Sequence, residues 1–469
     1  MIPVLKENVR IKEEPQGAVF INTVSEKYTL ASSFEAFILS LFDGTRSIEE
    51  VASLLKNLKN SPEERKIQND ILILVHEKRE IIELIKSPLK KSRIQIDPYR
   101  FLLKPDIFKK PMRCNAPLAV DLYITRKCNL NCIYCFANAK YTDSQTRNYR
   151  CNEMRLDRIN YLIDQIAELE TKKIILTGGE PTLRPDLPKI IQRLSNYGID
   201  VFLATNVYSM NDKLAKELRD SGLTKIQAKL DAANPKIQDK LSRVKGSYGK
   251  LIRGIKTLKK YSFKISVVSI ATSWNIKEIP EVVKICADLG IDEFNPRIYT
   301  PGIWALHGRG GSYLNPSSNS ILWLYQRIEE LQEEYKGIMN VSSLETSTFC
   351  KKKENEVPAC PGFISACTIL ENGLVVPCEL VADFSNDFII GDANKQPLID
   401  IWNSEKAERW MLRKYPKIGE PCSSCNEFER CKGGCPAKSF IAYGKRSADP
   451  FCVKAPNPTV ISFPEVSTE

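Results

Sequence analysis

The sequence predicts an α/β protein whose central part alternates strands and helices. Six short apolar runs between residues 118 and 298 have the length of buried strands, and amphipathic helical patterns separate them. Repeated strand–helix units imply a parallel sheet, either open or curled into a barrel. The predicted strands are 118–124, 173–177, 201–205, 225–230, 264–270 and 292–298.

Length and composition indicate a multidomain globular protein. The chain has 469 residues, of which 43% are hydrophobic and 27% charged, so two or three domains are expected. No apolar run is long enough to cross a bilayer, and the first residues contain no apolar signal core. These features predict a cytoplasmic protein that does not enter a membrane.

The N-terminal region, residues 1–87, has a pattern of its own. Three strand-like pieces at 8–13, 17–22 and 27–31 precede three helical stretches, which suggests a small winged-helix-like α+β unit. The second helix opens with a predicted capping box from Ser47 to Glu50. The third is predicted to be a long amphipathic helix over 63–86.

A basic segment, residues 88–116, is predicted to be a linker because it holds four prolines and many lysines and arginines. The whole chain carries a net charge of +11. This charge suits an acidic partner, and an acidic peptide, RNA and an anionic lipid all remain open.

The cysteines predict metal ligation. There are fifteen cysteines but only two histidines, and a large chain without a secretion signal favours metal sites over disulfides. Cys128, Cys132 and Cys135 closely follow the first predicted barrel strand. Three thiolates can hold three irons of a [4Fe–4S] cluster and leave the fourth iron open to another ligand. A structural zinc site, by contrast, is normally closed by a fourth protein ligand.

The next strand ends in Thr-Gly-Gly-Glu-Pro, residues 177–181. Gly178 and Gly179 allow a close approach of backbone to a ligand, and Glu180 adds a carboxylate that suits an ammonium group. An amino acid moiety is therefore a candidate for the open iron.

A second group of cysteines lies near the C-terminus. The spacing is Cys-x12-Gly-x4-Cys from Cys360 to Cys378, and then Cys-x2-Cys-x5-Cys-x3-Cys-x16-Cys from Cys422 to Cys452. Seven cysteines fall one short of two four-ligand sites, with Cys350 and Cys367 as spare candidates. Iron–sulfur clusters and zinc both remain open at this point. Cys367 lies in an apolar run and is interpreted as a core residue. Three others fit no ligand pattern: Cys114, Cys151 and Cys286.

The loop CNLNCIYC followed one strand later by TGGEP resembles the radical S-adenosylmethionine (SAM) enzymes. The resemblance implies a (β/α)6 partial TIM barrel over 117–310 and a [4Fe–4S] cluster whose open iron is chelated by the methionine end of SAM. It implies that electron injection into SAM yields a 5′-deoxyadenosyl radical, which abstracts a substrate hydrogen. An electron donor such as flavodoxin or ferredoxin is then expected.

Further positions resemble the SAM contacts of that family. Val207 stands where the family often has Gly after Thr-Asn, and Lys229 and Ala232 flank the Asp of the family's Ser-x-Asp-Gly. Ser242 occupies the position of a family Arg that binds the SAM carboxylate, with Arg243 next to it. The implied SAM-binding residues are Tyr134, Gly178, Gly179, Glu180, Thr205, Asn206, Asp231, Arg243 and Arg309.

The C-terminal spacing resembles the SPASM extension of radical SAM enzymes, here residues 346–469, with a helical bridge over 311–345. The resemblance implies two auxiliary [4Fe–4S] clusters, and so three in all. The fourth ligand of the cluster nearer the barrel is Cys367, Cys350 or absent. Cys422, Cys425, Cys431 and Cys452 are the implied ligands of the distal cluster, and Cys360, Cys378 and Cys435 those of the nearer one.

Residues 34–58 resemble the peptide-recognition domain (RRE) of peptide maturases, which implies a precursor peptide as partner. The docking surface is expected at the strand near 17–30 and the helix 63–86, where Arg65, Lys66, Lys78 and Arg79 suit an acidic leader. The predicted function is a thioether-forming peptide maturase. Carbon–carbon crosslinking, decarboxylation and oxidation of Cys or Ser in a protein use similar parts and stay as alternatives.

Two other classes compete. The positive net charge would suit a radical SAM enzyme that acts on RNA. However, no known nucleic-acid-binding module follows the barrel in the sequence, and aromatic residues do not alternate regularly with the basic residues of the segment 88–116. We therefore expect no nucleic-acid partner. An electron carrier or zinc scaffold leaves the three-cysteine loop and the TGGEP stretch without a role.

Overall fold

The computed structural model divides the chain into two compact units, 1–115 and 116–469. It describes residues 1–14, 17–25, 27–59, 64–94, 96–102, 113–137, 139–141, 152–300, 311–344, 360–382, 385–414, 419–426, 428–431, 433–450 and 452. Within these ranges, no helix combines the length and apolar character needed to cross a bilayer.

The first unit is a small α+β fold. Its elements are β1 (Ile2–Leu5), β2 (Val9–Glu14), β3 (Gly17–Asn22), β4 (Tyr28–Ser32), α1 (Ser33–Ser40), α2 (Ile48–Lys59), α3 (Glu64–Glu77) and β5 (Ile82–Ile85). Strands β2, β3 and β4 form an antiparallel sheet with β3 in the centre, as the three predicted strands require. The helices pack on one core with this sheet.

The capping box predicted at the start of the second helix is present in the structure. The Ser47 backbone N–H donates to the Glu50 carboxylate over 2.7 Å, and the Glu50 N–H donates to the Ser47 hydroxyl over 3.2 Å. The predicted capping box therefore starts α2.

The prediction of one helix over 63–86 is wrong beyond Glu77. The chain turns at residues 78–81 and then forms β5, which pairs antiparallel with β1, with Leu5 opposite Ile82. Strand β1 was not predicted, and its backbone groups supply the hydrogen-bond partners that draw this segment out of the helix.

The segment 88–116, predicted as a linker, is described only in part. Residues Pro98–Phe101 form a 3-10 helix, and Phe101 is buried in the core of the first unit. The described part of this segment is thus packed rather than extended, while residues 103–112 lie outside the described ranges.

The second unit contains the six predicted parallel strands in chain order. They are β6 (Ala119–Thr125), β9 (Lys173–Gly178), β10 (Asp200–Ala204), β11 (Lys225–Lys229), β12 (Lys264–Ala271) and β13 (Glu293–Ile298). The helices around them are α4 (Leu156–Glu168), α5 (Leu187–Asn196), α6 (Asp212–Asp220), α7 (Pro235–Ser242), α8 (Ser247–Lys260), α9 (Ile279–Asp288) and α10 (Ser318–Glu334). Outward side chains of the strands pack on these helices, except α7, in one large core, and α7 packs against the cysteine loop.

The six-stranded sheet curls into a partial barrel, since residues of all six strands line a single cavity. The barrel does not close on itself, because β6 and β13 each have another neighbour. Strand β14 (Asn340–Val341) extends the sheet beyond β13, and β15 (Ala366–Ile369) extends it beyond β6.

The cysteine-rich region continues the barrel sheet, which the sequence did not predict. After β15 the sheet runs on through β16 (Leu374–Val376) and β17 (Gly391–Asp392) in antiparallel order. The remaining elements are a small parallel pair, β7 (Lys127–Cys128) and β8 (Lys140–Tyr141), and the helices α11 (Leu398–Trp402), α12 (Glu405–Lys414), α13 (Phe428–Cys431) and α14 (Pro436–Tyr443). This continuity brings the C-terminal region against the cavity.

Candidate active site

The three-cysteine loop leaves β6 at the carboxyl end of the sheet and faces the cavity. Cys128, Cys132 and Cys135 all line this space of about 490 Å³. The loop is fixed by two backbone hydrogen bonds to the end of α7, from the Asn131 N–H to the Ser242 carbonyl (3.0 Å) and from the Ile133 N–H to the Leu241 carbonyl (2.9 Å). Parallel strands place such loops at one edge, where the chemistry of βα folds gathers.

The thiols of this loop are held in a way that suits a metal cluster. Burial raises the pKa of Cys132 to about 11, and the neighbouring Cys135 raises it further while Lys229 opposes the rise. Burial, together with Cys132 and Glu180, also raises the pKa of Cys128. Thiols such as Cys128 and Cys132, whose pKa is raised, ionise readily only when a cation compensates them, and metal binding supplies that cation.

The two glycines of the TGGEP stretch make room for backbone rather than only for a ligand. A Cβ on Gly178 would lie 2.2 Å from the Thr125 carbonyl oxygen, and one on Gly179 would lie 2.3 Å from that of Lys127. The Gly179 N–H donates to the Thr125 carbonyl over 2.8 Å. The glycines therefore bind this stretch to the strand that enters the cysteine loop, and both also line the cavity.

Replacing Gly178 by Ala is expected to strain the loop strongly, by about 1–3 kcal/mol. Its φ is +137°, and its Cβ would collide with backbone that cannot move away. Thermal unfolding and the iron content of the purified protein measure the effect. Gly198→Ala is the matched control, because Gly198 also has a positive φ of +69° but nothing within 4 Å of its Cβ. Equal losses in both variants would contradict this explanation.

Glu180 lies behind the cavity wall, not on it. Its buried carboxylate accepts hydrogen bonds from the Thr205 hydroxyl (2.7 Å), the Asn206 N–H (2.7 Å) and both the N–H and hydroxyl of Thr182 (3.1 and 2.5 Å). Burial raises its pKa, and these bonds oppose the rise. Glu180 thus orients Thr205 and Asn206, which do line the cavity.

Asn206 joins the third strand of the barrel to the cysteine loop. Its side-chain amide donates to the Asn129 side chain over 2.8 Å and lies 3.7 Å from the Cys128 sulfur. Val207, which stands where the resembling family often has Gly, adopts a left-handed φ of 52°. The backbone therefore keeps the conformation for which Gly is favoured, at a cost that a β-branched residue makes larger.

Asp231 also affects the cavity indirectly, through the side chain of Tyr134. Its carboxylate accepts a hydrogen bond from the Tyr134 hydroxyl and one from the Ile270 N–H over 2.9 Å. Tyr134 lines the cavity, and its ring is thereby fixed beside the cysteine loop. Asp231 is fully buried and is not among the lining residues.

The other predicted SAM contacts lie elsewhere. Arg243 follows α7 in a left-handed conformation, is exposed, and is not among the residues that line the cavity. Arg309 lies outside the described residues, as does Cys350. Cys367 is buried on β15 opposite Val120 in the outer core of the barrel.

Part of the cavity wall is charged, which the sequence analysis missed. Asp121 and Arg297 come from the first and last strands of the six, and Glu379 and Lys438 come from the cysteine-rich region. Burial and the nearby Glu379 raise the pKa of Asp121 to about 8, and Lys173 and a hydrogen bond with Thr368 oppose the rise. Asp121 could have been noticed in the sequence, because it is an acidic residue inside the otherwise apolar run 118–124.

A buried ion pair connects the cysteine loop to the C-terminal region. The Arg126 Nε lies 2.7 Å from the Glu371 carboxylate, and the Arg126 Nη1 donates to the Ala137 carbonyl at the far end of the loop over 2.5 Å. Arg126 thus spans the loop while Glu371, 245 residues away, anchors it. The sequence carried no periodic or motif signal for this pair.

The C-terminal cysteines form two groups. Cys422, Cys425, Cys431 and Cys452 surround one small cavity, and burial followed by Cys431 and Cys452 raises the pKa of Cys422 to about 11. Within the described ranges, no three ligand-type side chains converge closely enough for a single ion. Sulfurs spaced around a cavity suit a cluster of several atoms.

Cys360, Cys378 and Cys435 form the second group. Burial raises the pKa of Cys378, and Glu379, Cys360 and Cys435 act in the same direction, so these thiols lie within electrostatic reach of one another. The Cys435 N–H donates to the Asp449 carboxylate over 3.0 Å, and Asp449 lines the other cysteine cavity. Asp449 therefore contacts the second group and lines the cavity of the first.

Comparisons with known proteins agree with these two regions. Residues 122–295 match the family model of the Radical SAM superfamily, and residues 360–426 match that of an iron–sulfur cluster-binding domain, SPASM. These two domains imply SAM and [4Fe–4S] clusters, and the residues around the cavity and in the two cysteine groups fit them.

The alignments with two curated relatives extend over most of the length of those proteins. An AdoMet-dependent heme synthase of Methanosarcina barkeri is 25% identical over 359 residues, covering 73% of this chain and 98% of that protein. A PqqA peptide cyclase of Bradyrhizobium diazoefficiens is 25% identical over 344 residues, covering 72% of this chain and 87% of that protein.

A solved structure resembles nearly the whole chain. SuiB of Streptococcus suis bound to S-adenosylmethionine has a TM-score of 0.66 at 19% identity and covers 96% of this chain and 100% of its own. SuiB has also been solved bound to its precursor peptide SuiA. At this identity the likeness shows the fold.

Proposed function

The chain contains a radical SAM domain and a SPASM domain, and on that premise we propose that it modifies a ribosomally made precursor peptide by forming a thioether from a Cys sulfur to another residue's carbon. One observation carries the proposal. The cavity beside the three-cysteine loop is lined in part by Glu379, Leu380 and Lys438 of the cysteine-rich region, so a substrate in it meets both.

The cysteines divide into three proposed cluster sites. Cys128, Cys132 and Cys135 hold the SAM-binding cluster, and the remaining two sites are the groups around Cys422 and Cys378. When bound and reduced, SAM and its cluster supply a 5′-deoxyadenosyl radical that takes one hydrogen atom from the substrate. The fourth ligand of the group around Cys378 stays open between Cys350, Cys367 and no protein ligand.

The residues of the chain position and shield the reaction. Tyr134, held by Asp231, and the backbone of Gly178 and Gly179 shape the part of the cavity beside the loop. Thr205 and Asn206, held by Glu180, complete that wall. Fixed polar groups of this kind orient a bound cofactor without reorganising during the reaction.

Thioether formation also releases one proton and one electron. The S–H proton needs an acceptor, and Asp121 is a half-buried carboxylate of the cavity wall whose pKa is raised to about 8. The electron needs an acceptor of the iron–sulfur class, and the C-terminal cysteine groups are the proposed sites for it. Loss of the hydrogen atom, the proton and the electron together removes two hydrogens from the peptide.

The first unit is the proposed docking site for the leader of the peptide. Strand β3 is paired on both sides, but β4 is an edge of the described three-stranded sheet and can accept an added strand. On α3, Leu72 and Ile73 are exposed apolar side chains and Arg65 and Lys66 are exposed cations, and exposed Arg79 lies in the turn that follows. The docking surface proposed here is therefore β4 with α3.

The test uses the short Cys-containing peptide encoded beside the gene. Reduced, cluster-loaded enzyme with SAM is expected to lower the peptide mass by two hydrogens and to block its thiol, as mass spectrometry after alkylation shows. A peptide with that Cys replaced by Ser should stay unmodified. Loss of two hydrogens with the thiol still free indicates carbon–carbon crosslinking instead.

A tetrapyrrole is the second candidate substrate, because the relatives include AdoMet-dependent heme synthases. Those relatives cover only 71–73% of this chain, whereas the likeness to SuiB covers 96%. This difference favours a peptide. Offering an iron porphyrin in place of the peptide separates the two, and its decarboxylation with every peptide unchanged would contradict the peptide proposal.

A further inference from the structure

Two side chains cover the cysteine loop on a side away from the cavity. Tyr208 follows β10 and Val244 follows α7, and both side chains are half-buried. They pack on an apolar cluster of the loop region, formed by Cys128, Leu130 and Ala139. Neither Tyr208 nor Val244 is among the residues that line the cavity. At these two residues, the loop therefore lies one side chain below the outer surface.

Hydrogen bonds connect this cover to the loop. The Tyr208 N–H donates to the side-chain oxygen of Asn206 over 2.9 Å, and the Asn206 amide lies 3.7 Å from the Cys128 sulfur. The Asn129 amide donates to the Ser209 hydroxyl over 2.9 Å. Tyr208 is thus connected through one residue, Asn206, to a thiol that is a proposed cluster ligand.

The surface around the two covering side chains is basic. Lys250 on α8 places its Nζ 4.3 Å from the centroid of the Tyr208 ring, and Arg243 and Lys245 flank Val244 in the chain. All three cations are exposed. No ion pair joins any of them to a carboxylate within the described part of the chain. These five residues are called the basic surface below.

Acidic residues of the neighbouring helices are engaged with other groups. Asp239, the acidic residue of α7, accepts hydrogen bonds from the Gly246 N–H over 2.6 Å and from the Ser247 hydroxyl over 2.8 Å. Asp212, which begins α6, pairs with Lys260 over 3.5 Å. The exposed charge of the basic surface therefore stays positive and is available to a partner.

Reductive cleavage of SAM requires an electron, which another molecule has to bring to the loop cluster. Complexes that transfer electrons between proteins are small and transient, so electrostatic attraction contributes strongly to their formation. A basic surface accelerates the association of an acidic protein. The short cover formed by Tyr208 and Val244 lets the redox centre of such a protein approach the loop closely.

We propose that the basic surface binds a small acidic electron-carrier protein, which reduces the loop cluster directly. In this step the carrier loses one electron and the cluster gains it, and no proton is transferred. The inference rests on the proposed function in one respect, namely that Cys128, Cys132 and Cys135 hold the cluster that SAM binds. It adds the side from which the electron enters.

Reduction of the cluster-loaded enzyme by reduced flavodoxin, an acidic electron carrier, tests the proposal. The loss of cluster absorbance is followed by stopped flow, without SAM or peptide. In the double variant Lys245→Glu/Lys250→Glu, the second-order rate constant at low salt is expected to fall by about 10-fold or more, because repulsion replaces attraction. The wild-type rate should fall as salt is added, whereas the rate of the double variant should not.

Lys172→Glu/Lys264→Glu is the matched control, with the same change in net charge. Both lysines are exposed, and they lie where β9 and β12 begin, at the amino edge of the sheet, whereas the cysteine loop lies at the carboxyl edge. The control should react with flavodoxin at the wild-type rate. Reduced methyl viologen, a small cation that needs no docking surface, should reduce the Lys245→Glu/Lys250→Glu enzyme no more slowly than the wild type.

Three results would overturn the proposal. The first is an equal flavodoxin rate in the wild type and in Lys245→Glu/Lys250→Glu, and the second is an equal loss with methyl viologen. The third is a loss in Lys445→Glu, an exposed site of the cysteine-rich region, that the double variant does not share. Iron and sulfide contents are measured in every enzyme, so failure of the loop to hold a cluster is recognised separately. Because no peptide is used, the outcome does not depend on whether the proposed peptide modification is found.

Discussion

Cys132→Ala is expected to abolish SAM cleavage. Cys132 is the central thiol of the loop and lines the cavity, so its removal leaves two loop thiols, too few to hold a cluster. Formation of 5′-deoxyadenosine by the reduced enzyme should fall to background, and iron content should fall by about four atoms of about twelve per chain. Liquid chromatography and iron analysis measure both quantities.

Cys286→Ala is the control for this experiment. Cys286 is a fully buried cysteine of α9 that packs in the barrel core and lines neither of the cavities formed by the cysteine groups. It should keep its iron and its SAM cleavage at wild-type levels. If Cys132→Ala also kept full iron and activity, the loop would not hold the cluster that SAM binds.

Asp121→Asn is expected to separate peptide modification from SAM cleavage. Asparagine keeps the shape of the side chain but cannot take a proton, and general bases contribute about 10²–10⁴-fold to a rate. Peptide product should fall by that factor, while 5′-deoxyadenosine formation persists because the cysteine loop is untouched. The ratio of 5′-deoxyadenosine to modified peptide is the measured quantity.

The pH dependence gives the same hypothesis a second readout. Asp121 is faced by Glu379, Lys173 and Thr368, and burial is the main reason that its pKa is about 8. Only the ionised carboxylate accepts a proton, so product formation should rise as the pH rises through about 8 in the wild type. The rise should be missing in Asp121→Asn, and a rise of equal size in both enzymes would exclude Asp121 as the acceptor.

Stability should change with pH in the opposite direction. Because folding raises the pKa of Asp121 from its ordinary value of 3.8 to about 8, the folded state holds this proton more tightly. The resulting stabilisation is complete below about pH 4 and is lost as the pH rises through 8. The Tm of the wild type should therefore fall relative to that of Asp121→Asn across this range.

Asp200→Asn serves as the control for both measurements. Asp200 is also a strand carboxylate whose pKa burial raises, but it pairs with Lys225 and does not line the cavity. It should lose a little stability and keep the wild-type ratio of 5′-deoxyadenosine to peptide product. An altered ratio in this variant would show that the ratio does not report on Asp121.

Local patterns predicted much of this protein correctly. All six barrel strands were located within a few residues, because each is a short apolar run bounded by turns and helices. The prediction of a helix over 63–86 was wrong beyond Glu77, because the pairing of β5 with β1 is a long-range contact that helical periodicity does not reveal. The continuation of the barrel sheet into β15 was missed for the same reason.

Within the site, spacing predicted the cysteines and the neighbouring backbone, whereas the roles of the polar residues depended on the fold. Glu180 and Asp231 were predicted to contact SAM, yet both lie behind the wall and hold Thr205, Asn206 and Tyr134 in place. A motif records which residues occur together, but it does not record which of them face the ligand.

The sequence by itself determined the order of strands and helices and the grouping of the cysteines, since periodicity and ligand spacing act over a few residues. The tertiary structure alone decided which charges meet in the cavity. Asp121, Lys229 and Glu379 come from elements far apart in the chain, and only the curvature of the sheet and the return of the C-terminal region bring them to one cavity.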